Sequence, residues 1–186
     1  GLEYVKNLKE LVCAPGGGKY RDFDELRHVV GTIETLSISI PHDEVSSATY
    51  LNQMPRLRNL RLRSPNLEEL YLSSTCLKSL RLRCPKLSRI AAIRESFESL
   101  EVLSFNRLFT LCEHVISEFV SLCTGLTELT VISSKLPPVL DVWNHEKLLN
   151  VNIFGVDCEV KAPANTNVKL ILNDFELDDK FIEANH

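Results

Sequence analysis

No stretch of this sequence approaches the roughly eighteen uninterrupted apolar residues that a membrane-spanning helix needs, so no membrane partner is expected. There is no excess of one charge: 21 Lys and Arg stand against 25 Asp and Glu, a net of -4, which excludes a wholly basic nucleic-acid binder. With 44% hydrophobic and 25% charged residues the 186-residue chain is neither disordered nor collagen-like, and its length suits one domain. No N-x-[ST] glycosylation sequon occurs. No signal peptide precedes the first repeat, and the chain opens on Gly1 rather than Met, as a fragment of a longer protein would.

Catalytic motifs are missing too. There is no H-E-x-x-H and no G-x-S-x-G, and the five histidines (His28, His42, His114, His145 and His186) form no recognisable set. The string APGGGK at 14–19 falls short of a phosphate-binding loop. Cys13 occupies the first glycine position and Tyr20 the place of the magnesium-binding hydroxyl, so it reads as a turn. None of Cys13, Cys76, Cys84, Cys112, Cys123 and Cys158 lies within the short spacing of a zinc ribbon. Buried thiols in a cytoplasmic or nuclear protein are the expectation, over disulfides or metal. The reading is of a non-enzyme with no cofactor and no metal.

Leucine is what the sequence has in excess: 30 residues, about one in six, while Met and Trp occur once each. The bias comes from repetition. Residues 57–67 read LRNLRLRSPNL and 77–87 read LKSLRLRCPKL, the same pattern twenty residues apart. The core L-x-x-L-x-L recurs more loosely at Leu8/Leu11/Cys13, Ile33/Leu36/Ile38, Leu100/Leu103/Phe105, Leu126/Leu129/Val131 and Leu148/Val151/Ile153. That makes about seven units. In each, alternation buries the two residues of L-x-L on one face of a short strand and turns their neighbours to solvent. One unit cannot bury its apolar face alone, so stacking is required.

Helix-like periodicity marks three connections: 22–30, 42–52 and 112–123, with Asp22 and Asp43 as N-terminal acids. Leu67/Leu70/Leu72 and Leu87/Ile90/Ala92 add ten-residue half-steps, too close in sequence to be parallel neighbours of the strands before them. Alternation between two faces is expected there, with an antiparallel meander as the alternative.

These units resemble leucine-rich-repeat proteins over nearly the whole chain. RCPKL at 83–87, FVSLCTGLTELTV at 119–131 and SPNLEELYL at 64–72 are similar, more narrowly, to F-box/leucine-rich-repeat substrate receptors. The resemblance implies an α/β fold: a leucine-rich-repeat solenoid over 1–173, with a parallel sheet on one face and mixed helices, turns and short strands on the other. In that family the repeats bind a protein substrate and a separate F-box docks onto the adaptor of a cullin-RING ubiquitin ligase. No F-box pattern precedes the repeats here. Pro41, Pro65 and Pro85 stand where the general pattern has Asn or Cys, so the usual turn ladder is absent or replaced.

The solvent-facing strand positions carry the functional expectation. They run Thr35, Ser37, Ser39; Asn59, Arg61, Arg63; Ser79, Arg81, Arg83; Val102, Ser104, Asn106; Glu128, Thr130, Ile132; and Asn150, Asn152, Phe154. Arg61 and Arg63 fall beside Arg81 and Arg83, with Arg58 and Lys78 at matching turn positions. Such a patch suits an acidic or phosphorylated protein segment, because arginine presents a planar fork to carboxylate or phosphate. The bland alternative is a solvated face that keeps an exposed sheet soluble. Nucleic acid or phosphoinositide is the weaker fit, since no aromatic residues interleave the basic ones. The acidic stretch DFELDDKFIE within 174–186 reads as a C-terminal cap, or as a docking peptide that folds back onto the patch.

Overall fold

In the computed structural model, residues 2–5, 7–13, 23–39, 49–92, 94–111, 113–132, 136–154 and 158–171 are described. The string at 14–19, Asp22, Pro41, His42, Asp43, Cys112, His186 and the tail 174–186 lie outside them. Each L-x-x-L-x-L core has become a strand with its leucines inward. The strands are β1 (Glu10–Cys13), β2 (Thr35–Ser39), β3 (Asn59–Arg63), β4 (Glu69–Leu72), β5 (Ser79–Arg83), β6 (Arg89–Ala92), β7 (Val102–Asn106), β8 (Glu128–Ile132), β9 (Val139–Asp141), β10 (Asn150–Phe154), β11 (Glu159–Lys161) and β12 (Asn167–Ile171). The fold is α/β and dominated by one eight-stranded parallel sheet in the order β1-β2-β3-β5-β7-β8-β10-β12.

β4 and β6 pair in parallel with each other, not with the strands on either side of them in sequence, and β9 pairs with β11. The half-steps at 67–72 and 87–92 therefore alternate with the large sheet, and the meander is excluded. The inward residues stack in columns: Leu36, Leu60, Leu80, Leu103, Leu129 and Val151 are register neighbours from strand to strand. All are buried in one core that also takes Leu70 and Leu72 from β4. Each such side chain stabilises the fold by about 1.5–3 kcal/mol on removal from water.

Just before each strand of the large sheet runs a second ladder. The Lys9 carbonyl accepts N–H bonds from Glu34 (2.7 Å) and Thr35 (2.9 Å), and the Glu34 carbonyl from Arg58 and Asn59. The same double acceptance repeats at Arg58, Lys78, Glu101 and Thr127. Side-chain hydroxyls and thiols satisfy carbonyls one unit back: Ser74 donates to Leu57 O, Ser99 to Leu77 O, Thr110 to Leu87 O, Thr166 to Leu148 O and Cys158 to Pro137 O. Ser64 and Cys84 lie fully buried just before Pro65 and Pro85.

The helices differ from the sequence expectation. The 22–30 stretch yields a 3₁₀ helix at Phe23–His28, and within 42–52 the described part is a 3₁₀ turn at Thr49–Gln53. The tighter helix rises about 2 Å per residue, so a few residues span the crossover. Only 112–123 gives a longer α-helix, α2 (Glu113–Leu122), after a short α1 (Arg94–Glu98) that the pattern did not single out. Ile116, Phe119 and Val120 form the buried face of α2 at the i, i+3, i+4 spacing. Phe119 meets Phe97 of α1 edge-on at 4.8 Å and Phe105 of β7 at 5.6 Å. Behind α2, buried His145 donates from Nε2 to the Val120 carbonyl at 2.9 Å.

Candidate functional site

Strand pleating leaves one face of the large sheet to the core and the other to solvent, and parallel register lines the solvent residues up in rows. One row runs Val12, Ser37, Arg61, Arg81, Ser104, Thr130, Asn152 and Lys169 from β1 to β12. The next carries Ser39, Arg63 and Arg83, then Asn106, Ile132 and Phe154 on β7, β8 and β10. Arg61 is the register partner of Arg81, and Arg63 of Arg83. Neighbouring strands stand about 4.8 Å apart and alternate residues about 6.6 Å along a strand, so four guanidinium groups rise from a 2 × 2 block. Arg61 is exposed and the other three are half-buried.

Arg58 and Lys78 do not belong to that block. They lie at the turn before β3 and β5, among the residues of the carbonyl ladder, and each has an acid from a neighbouring unit. Lys78 contacts Glu101 at 2.6 Å, while Glu34 lies 3.9 Å from Arg58 and 3.1 Å from Lys9. These exposed pairs contribute little stability, about 0–1 kcal/mol each, but they offset the charge at the rim. The sequence pattern missed Glu34 and Glu101, whose position before the strand was the available signal.

The expectation that every residue of these rows faces water needs correction on β7 and β8. Ser104, Asn106, Thr130 and Ile132 point away from the core but are 3%, 6%, 5% and 7% exposed. Register sets Ser104 between Arg81 and Thr130, and Ile132 between Asn106 and Phe154. The Asn106 Oδ1 is buried with no hydrogen-bond partner, and Arg107 after it adopts a left-handed backbone (φ 58°) while its N–H reaches the Ile132 carbonyl at 2.7 Å. For a residue with a Cβ that conformation is strained by about 1–2 kcal/mol. No leucine pattern announces this turn.

Elsewhere, chemistry is sparse. Burial pushes the thiols of Cys84 and Cys123 up to about 12, with backbone N–H groups at Ser64 and Arg83 opposing the shift for Cys84. Cys13 and Cys76 are half-buried thiols. The Tyr71 hydroxyl donates to the Glu69 carboxylate, which holds its proton above the usual phenol range, and Arg89 lies over its ring at 5.6 Å. A surface depression of about 400 Å³ beside β9 and β11 is lined by Asp141, Trp143, Asn144, Val160, Lys161 and Ala162, with Trp143 62% exposed. His114 is exposed on α2. Among the described residues no cluster of three His, Cys, Asp or Glu is arranged to hold a metal, and no helix is long and apolar enough to cross a membrane. Comparison with protein-family models, with curated proteins and with solved structures finds no match to this chain.

Proposed function

We propose that this chain is a leucine-rich-repeat solenoid that acts as a protein-binding module, receiving an acidic or phosphorylated partner segment on Arg61, Arg63, Arg81 and Arg83. Arg58 and Lys78 extend the site as its rim. The observation that carries this reading is the register of β3 against β5, which sets two pairs of like charges directly opposite one another. Opposed like charges destabilise a sheet by a few tenths of a kcal/mol. Arginine presents a planar fork that forms bidentate hydrogen bonds with carboxylate or phosphate. The stacked leucine columns support the solenoid reading, since each unit buries its apolar face only against the next.

The proposal gives the chain binding and no catalysis, in the cytoplasm or nucleus. The resemblance of 83–87 and 119–131 extends it to substrate recognition in a cullin-RING ubiquitin ligase. A full-length protein without an F-box would remove that extension and leave the binding module.

The test is an array of phosphorylated and acidic peptides probed with wild type and with the double variant Arg61→Glu, Arg81→Glu. Wild type is expected to bind and the variant to lose binding, with its circular dichroism spectrum unchanged. Equal binding by the folded variant would show that the block is not the site. Preference for RNA or DNA over the peptides, falling steeply with salt, would assign the arginines to phosphate backbones instead.

A further inference from the structure

We infer that the depression beside β9 and β11 is a second ligand site, independent of the arginine block, that takes a neutral sugar ring against Trp143. Its walls hold Asp141, Trp143, Asn144, Val160, Lys161 and Ala162 around about 400 Å³, within the range of small-molecule pockets. Trp143 is the only tryptophan in the chain and is 62% exposed. An indole left in water gains free energy when a ligand covers it. The turn that carries it is held in place. Val142 and Leu148 are fully buried on either side, and buried His145 ties the turn to α2 through the Val120 carbonyl at 2.9 Å. The Val142 N–H donates to the Lys161 carbonyl at 2.8 Å, and Asp141 Oδ1 accepts the main-chain N–H of Trp143 at 3.0 Å. A site whose backbone is fixed beforehand loses little entropy on binding.

Charge and hydrogen-bonding capacity define the ligand. Asp141 on β9 is the register partner of Lys161 on β11, so one negative and one positive residue stand about 4.8 Å apart. Their charges offset each other, and the depression favours neither an anion nor a cation. Its three polar side chains differ in kind: a carboxylate that only accepts, an ammonium that only donates, and the Asn144 amide that does both. Hydroxyl groups donate and accept alike, so neighbouring hydroxyls on one ring satisfy all three. The C–H face of the same ring supplies the apolar surface that covers an indole. Val160 and Ala162, aliphatic and half-buried, complete the apolar part of the lining.

The experiment uses the whole chain with its own indole as reporter, since fluorescence from the single tryptophan reads this site alone. Methyl glycosides of glucose, galactose, mannose and N-acetylglucosamine are titrated, with adenosine, glycine and inorganic phosphate alongside. For a ligand of about a dozen non-hydrogen atoms, a dissociation constant of about 1 mM is expected. At least one glycoside should shift the emission saturably and show saturation-transfer NMR signals from its C–H face. Asp141→Asn keeps the acceptor for the Trp143 N–H, and Lys161→Met keeps the main-chain bond to Val142. Both should fold as wild type and weaken the glycoside about tenfold. Trp143→Ala should abolish the NMR transfer, and Arg61→Glu should leave it unchanged. Adenosine, glycine or phosphate binding in place of every glycoside would overturn the sugar assignment. Glycoside binding that survives Trp143→Ala, or is lost with Arg61→Glu, would overturn the location. No response from any ligand far above the expected constant would overturn the site itself, while leaving the arginine-block reading to its own test.

Discussion

Two glycines allow one substitution to be tested for opposite outcomes. Replacing glycine by alanine where the backbone permits it stabilises a protein by about 0.4–1 kcal/mol, because the unfolded chain loses freedom. Gly31 meets that condition: a Cβ there would have nothing within 4 Å. Gly125, in the turn between α2 and β8, does not. Its Cβ would stand 2.8 Å from the Glu98 carbonyl oxygen and 3.0 Å from that of Leu100, both of them backbone atoms that no side-chain rotation can move. Crowding of this kind costs about 1–3 kcal/mol, more than the entropic gain. Gly31→Ala should therefore raise the urea midpoint, and Gly125→Ala lower it by about 1–2 kcal/mol of stability. In thermal melts that is about 2–8 °C for a chain of this length. A Gly125→Ala protein as stable as wild type would mean that the turn does not approach α1 as described, and the packing of this unit would have to be redrawn.

Other consequences can be measured directly. Arg61→Glu alone places a carboxylate opposite Arg81. It should raise stability in low salt by about 0.2–1 kcal/mol and lose the gain in high salt, while weakening phosphopeptide binding. A lowered urea midpoint in low salt would refute the cross-strand pairing. Because burial raises the Cys84 and Cys123 thiols to about 12, the native protein keeps protons that the unfolded chain sheds above about pH 8.5. Their contribution is complete below that pH and is lost as pH climbs towards 12, about 1.4 kcal/mol per unit per thiol, readable by urea titration at stepped pH. In native protein at pH 8.5, iodoacetamide should modify Cys13 and Cys76 well before Cys84 and Cys123 by peptide mass spectrometry. Equal rates would contradict their burial.

Leucine spacing located seven of the eight strands of the large sheet, because each needs two inward apolar residues and the turn before it a third. β12 escaped because Asn165 stands where that third residue belongs, leaving only Val168 and Leu170, themselves 37% and 44% exposed. β9 and β11 are three residues long, too short for a period to register. The pairing of Arg61 with Arg81 was legible because identical spacing in 57–67 and 77–87 forces identical register. The burial of Ser104 and Thr130 was not, since alternation says which way a side chain points and nothing about how much of it stays open to water. The pairing of Lys78 with Glu101 was within reach, since each stands one residue before its strand whatever the length of the crossover between them, but a leucine pattern does not mark the charges beside it.

That independence has an outcome of its own. From Lys9 to Thr127 the strands are held in step by main-chain carbonyls that each accept two amide protons, a bond pattern indifferent to side-chain identity. Crossovers can therefore lengthen, shorten or change conformation without shifting the alignment of the face they carry. A lineage with this architecture is free to rewrite the outward residues of the sheet, or to splice new segments between strands, and keep the same scaffold beneath.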